Sequence, residues 1–140
     1  MCTPMRPTFS RSSLAISGLL ALAAIATIVA ALFWNSQQQT ERVARAMTGG
    51  DPARAPALMR RYGCAGCHTI PGIPGGDGQV GASLADLRHR VYIAGVTANS
   101  PDNLVRWIVT PQAFSQRTAM PATGITEAEA RDVAAYLYAQ

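Results

Sequence analysis

Cys64-Ala65-Gly66-Cys67-His68 sets two thiols three residues apart and an imidazole directly after the second. Covalent haem attachment requires this arrangement: two thiols that add to the vinyl groups on one porphyrin edge, and a turn that swings the next side chain under the iron. His68 is thereby the expected proximal ligand. A bare C-x-x-C also serves zinc sites and thioredoxin-type redox pairs. Zinc is short of ligands, because the remaining candidates are His89 and a Cys2 that lies beyond a hydrophobic span. A redox pair would sit in a strand-helix-strand pattern, which does not surround this motif.

Immediately upstream, Asp51-Pro52 is a capping residue followed by proline at a first helical position. This predicts a helix that carries Leu58, Met59 and Tyr62 into the motif. Pro56 removes one backbone bond, so the regular part is expected to begin nearer Pro56. Downstream, residues 69–81 contain Pro71, Pro74 and five glycines and read as a loop. The loop should wrap one haem edge, and a carbonyl in or just after it should accept the Nδ1 proton of His68, turning Nε2 to the iron.

Leu84, Leu87 and Val91 at helical spacing predict a short helix leading to Tyr92. Ser100-Pro101-Asp102 opens another, carrying Leu104, Trp107 and Ile108 and stopping before Pro111. Trp107 has two readings, plain core or a haem neighbour donating its N–H to a propionate. Thr126 and Glu129 form a capping box, and the last helix then carries Ala130, Val133, Ala134 and Leu137 along one face.

Toward the N-terminus, the polar residues 35–50 read as a flexible tether, partly helical at most. Residues 14–34 hold no charged side chain over 21 positions, and a helix of that length spans about 30 Å, the thickness of a bilayer core. The stretch is too long for the apolar region of a cleavable signal, and Phe33-Trp34-Asn35 makes a poor cleavage site. It is read as an uncleaved transmembrane anchor. Residues 1–13 carry Arg6 and Arg11 without an acid, a lead-in of the kind that stays in the cytoplasm. The downstream domain, 51–140, then lies outside that membrane, where haem of this type is attached in bacteria.

The chain has 140 residues, and all twelve basic ones are arginine. That bias is read as genome base composition, so no nucleic-acid partner is expected. Without Arg6 and Arg11, ten Arg face eight acids, and the strong lysine ring that steers many soluble electron carriers is missing. With Cys64 and Cys67 used by the motif, Cys2 is left over and no structural disulfide is expected.

The sixth iron position decides between electron transfer and gas or peroxide chemistry. Met47 falls in the tether, and Met59 is too close to Cys64 to reach the opposite face. Met120, fixed by Pro121 on an irregular segment between two helices, is preferred. His89 is the rival, but its neighbours Arg88 and Arg90 argue for an exposed face.

At this point the residues resemble small class I c-type cytochromes, in the membrane-anchored monohaem bacterial form associated with respiratory chains. The resemblance rests on residues 62–68, on Val80-Gly81-Ala82-Ser83-Leu84, on residues 99–112 with Trp107, on Met120-Pro121, and on Ala135-Tyr136-Leu137-Tyr138. It implies an all-α cytochrome c fold of about four short helices, the first and last crossing, around one covalent haem c. It implies His68 and Met120 as axial ligands and places Arg90, Tyr92 and Trp107 where members contact the propionates. Two positions depart from the pattern. Ala82 and Gln116 stand where proline is common; the first change is expected to loosen the support of His68, and the second to slacken the methionine loop.

The expected function is single-electron transfer from a quinol-oxidising complex to a terminal oxidase, as a carrier or as a bound subunit of such a complex. Neither an enzymatic step nor a small-molecule substrate is expected of the chain itself. The expected location is the bacterial inner membrane, single-pass, with the cytochrome domain on the periplasmic side. A haem sensor or peroxidase with an open distal site is the alternative.

Overall fold

A computed structural model describes residues 11–140, and the side chains from residue 15 onward. Cys2 and most of the basic lead-in lie outside the described residues. The chain divides into two compact units, Met1–Ser36 and Gln37–Gln140.

Helix α1 (Arg11–Thr48) provides the described part of the first unit. Its stretch from Ala15 has a window of mean hydropathy 2.5 and is long and apolar enough to cross a membrane. Leu19, Leu20, Phe33 and Trp34 are all exposed on it.

The second unit starts within α1, where the sequence reading expects a tether. Residues 37–48 are helical there, and Ala44 and Thr48 are each only 1% exposed. Arg131 donates to the Thr48 carbonyl at 3.1 Å, and Arg45 pairs with Asp51 at 2.6 Å. Small side chains one turn apart bury well but carry little hydrophobic signal, which is why this packing is hard to see in the sequence.

The Asp51 carboxylate caps the Ala53 N–H at 3.0 Å, a 3-10 turn spans Pro52–Arg54, and α2 (Ala55–Arg61) follows. The regular helix thus begins beside Pro56, as its missing N–H requires. After the single turn α3 (Cys64–Cys67) and the long loop come a 3-10 turn, Leu87–His89, and a two-stranded hairpin, β1 (Tyr92–Ile93) with β2 (Thr97–Ala98). Helices α4 (Pro101–Val109) and α5 (Glu127–Ala139) complete the domain. Both start on the expected caps, Ser100 accepting from the Asn103 N–H and Thr126 in a full capping box with Glu129.

The helix expected from Leu84, Leu87 and Val91 does not form. Asp86 takes a left-handed φ of 53°, which interrupts a right-handed helix. The local carbonyls are satisfied by side chains instead of by helical N–H groups: Arg90 donates to Ser83 and Ala85, and Asn99 donates to Leu87 and Arg90. The hairpin beyond is joined by three residues, Ala94-Gly95-Val96, of which Ala94 and Gly95 have positive φ and Val96 N–H donates to the Ile93 carbonyl at 3.0 Å.

α5 packs against both α2 and α4 and buries Ala130, Val133, Ala134 and Leu137, the face expected of it. Its buried Asp132 accepts from the Asp51 N–H at 2.7 Å and pairs with Arg54. Tyr138 donates to the Asn99 side chain at 2.7 Å, and burial pushes its phenol up to about 12, so it stays a donor at any physiological pH.

Candidate haem site

The site begins where α2 ends. Gly63 adopts φ 73°, which a Cβ would make costly, and turns the chain into Cys64–Cys67. His68 N–H closes that turn on the Cys64 carbonyl at 3.0 Å, after which His68 is extended and points its ring out of the turn. Burial pushes the Cys64 thiol up, holding it in the neutral form.

The glycine-rich loop folds back onto this turn through Gly81 N–H to the Cys67 carbonyl (2.7 Å) and Leu84 N–H to the Thr69 carbonyl (2.8 Å). It delivers the Ala82 carbonyl to 2.6 Å from His68 Nδ1. A carbonyl can only accept, so Nδ1 carries the proton and Nε2 keeps a free lone pair, the tautomer a metal needs. Ala82 therefore serves this contact without the proline common at its position. Close approach demands Gly81: a Cβ there would fall 2.5 Å from His68 Cε1.

Two adjoining cavities share Cys64, His68 and Met120 in their walls. The inner one is walled by apolar side chains from four parts of the chain, among them Met59, Leu87, Leu104, Ile108 and Leu137. The outer one opens past Tyr62, Cys67, Val80, Gly81 and Pro121, and no arginine or acid lines it. Arg90, Tyr92 and Trp107 border the inner cavity, so all seven residues singled out in the sequence line this one cleft. His89 does not. It is exposed, its Nε2 accepts from Arg88 Nε at 2.9 Å, and it faces a separate groove with Met47. Met59 is fully buried in the core. Trp107 is also a core residue, 7% exposed and 6.0 Å from the Phe114 ring.

Two further features were not legible in the sequence. Gln112 Nε2 donates to the Met120 carbonyl at 3.0 Å. Tyr62 donates to Glu129 at 2.8 Å, joining the end of α2 to the first turn of α5. The hydrogen bond to Glu129 raises the Tyr62 phenol, while the Thr126 hydroxyl, the Thr126 N–H and then Tyr62 hold the Glu129 carboxyl below its usual range. The capping box was visible as a pattern, but its reach to Tyr62 spans 67 positions and leaves no periodic trace.

The donor set fits haem c: two thiols on one turn, an imidazole with Nε2 free, a thioether on the same cleft and apolar walls behind. Such a helical domain defines a class, the electron-transfer haem proteins. The model of the cytochrome c family matches residues 52–139, and the chain belongs to that family. Cytochrome c oxidase subunit 2 of Alkalihalophilus pseudofirmus is 36% identical over 82 residues, which are 57% of this chain and 23% of that protein. The chain thus spans less than a quarter of that relative's length. No solved structure matches at comparable significance.

Proposed function

We propose that the chain is a membrane-anchored monohaem cytochrome c that passes single electrons between respiratory complexes, from a quinol-oxidising complex to a terminal oxidase, or within one as a bound subunit. One observation supports this above the others: Cys64, His68 and Met120 wall the same cleft, with His68 Nδ1 tied to Ala82. Haem bound there supplies a one-electron iron couple. Cys64 and Cys67 would hold it by thioether bonds. His68, its ring fixed by the Ala82 carbonyl, would offer Nε2 to the iron. Met120 would offer its thioether to the iron, a ligand that favours the reduced metal and suits a carrier.

Arg90, with Nη2 already fixed on the Ser83 and Ala85 carbonyls, holds positive charge at the cleft for a propionate. Tyr92 and Trp107 stand beside it on the cleft wall. The apolar inner walls exclude water from the iron and so limit the reorganisation that accompanies a change of charge. The N-terminal apolar helix anchors the chain in the bacterial inner membrane, with the cytochrome domain on the periplasmic side. The oxidase-subunit relative supports a respiratory partner.

The test is the absorption spectrum of the purified protein in both oxidation states, with Met120→Ala beside the wild type. A sulfur-to-iron charge-transfer band in the ferric wild type, absent from Met120→Ala together with a lowered reduction potential, is the expected result. A spectrum unchanged by Met120→Ala would overturn the carrier reading in favour of a sensor or peroxidase with an open distal site.

A further inference from the structure

Met120 sits on an irregular stretch between the 3-10 turn Pro111–Ala113 and α5. Before it, the chain is held by Ser115 N–H to the Pro111 carbonyl and Thr118 N–H to the Ser115 carbonyl, both 3.1 Å. Among the described residues, the hydrogen bonds of 119–125 are both made by the backbone of Met120. Its N–H donates to Thr118 Oγ1 at 3.2 Å, and its carbonyl accepts from Gln112 Nε2 at 3.0 Å. The first contact is local and moves with the segment. The second reaches outside it.

Gln112 directly follows the buried Pro111 in this 3-10 turn, which begins just past the end of α4 at Val109 and packs against it. That helix supplies Leu104, Trp107 and Ile108 to the wall of the inner cavity. The Gln112 amide therefore references the Met120 backbone to a turn packed against the helix that walls the cleft. We infer that Gln112 is a positioning residue for the distal ligand, holding the Met120 carbonyl so that the thioether stays at the iron instead of yielding to an external ligand. The inference rests on the reading of Met120 as that ligand. A backbone tether of this kind acts on the ligated state, because freeing the segment lets the sulfur leave without unfolding the domain.

The experiment uses the full-length, haem-loaded protein and imidazole as the competing ligand for ferric iron. Gln112→Leu removes the donor at similar size, and Gln112→Glu, nearly isosteric, replaces the donor by an acceptor at neutral pH. Both are expected to bind imidazole roughly three- to tenfold more tightly than wild type, the effect of losing one neutral hydrogen bond. Both should also weaken the sulfur-to-iron band, with the urea midpoint of the haem-loaded protein little changed. Wild-type imidazole affinity in Gln112→Glu, or a lowered midpoint with unchanged affinity, would overturn the inference and assign the bond a structural role. Should Gln112→Leu not accumulate with haem, Gln112→Glu decides alone. Met120→Ala run in parallel separates the two levels: if the wild type shows no sulfur-to-iron band that Met120→Ala removes, the ligand reading itself fails.

Discussion

His68 Nδ1 lies 2.6 Å from the carbonyl oxygen of Ala82, and Gly81, the residue before it, leaves no room for a Cβ beside the ring. The His68 imidazole is thus oriented by backbone alone. Gly81→Ala must displace either the imidazole or the loop. The expected outcome is a lower yield of haem-loaded protein and a broadened ferrous spectrum. Gly66→Ala, where nothing lies within 4 Å of the new Cβ, should leave both unchanged.

Glu129 predicts an acid limit. Its carboxyl is held below the usual glutamate range by the Thr126 hydroxyl, the Thr126 N–H and Tyr62, with Arg61 alongside at 3.3 Å. A group with a depressed folded pKa contributes stability that is complete above its unfolded pKa and is lost as pH falls through the folded one. The urea midpoint should therefore fall as pH drops below the ordinary glutamate value of ~4.3. Glu129→Gln should have a lower midpoint at neutral pH and a flatter acid slope. Equal slopes for the two proteins would show that the contact carries no pH dependence.

Ala44 tests whether the segment before the haem domain is packed or free. At 1% exposure, Ala44→Glu would bury an unpaired carboxylate, and about 3 kcal/mol should be lost from the domain in urea denaturation. A position on a solvated tether would tolerate the change within about 0.5 kcal/mol.

The outer opening of the cleft, lined by Tyr62, Val80, Gly81 and Pro121 without an arginine or acid, predicts electron transfer that depends weakly on salt. Charge-steered association falls steeply with ionic strength. Here the second-order rate of reduction of a purified terminal oxidase should change by less than about twofold over the range in which a charge-steered carrier slows about tenfold. A steep fall would place charged contacts outside the rim.

The features legible in the sequence are those whose cause is local. The attachment turn needs five consecutive residues. The caps at Asp51, Ser100 and Thr126 bond to backbone two or three positions away, and all three are present. The same local reasoning failed for Leu84, Leu87 and Val91, because Asn99 and Arg90 reach across the chain to take carbonyls that a helix would have used.

The sequence by itself therefore determined the haem-type motif, the apolar span, the order of α2, α4 and α5, and the seven residues that line one cleft. Tertiary structure decided the rest. It brought the Ala82 carbonyl to His68, folded residues 37–48 onto the domain through Ala44 and Thr48, and tied Met120 to Gln112 and Tyr62 to Glu129. These contacts join polar or small side chains to groups far along the chain or on irregular backbone. Such groups have no period and little hydrophobic signal, so only the packing of the helices, which sets where each backbone group ends up, could select them.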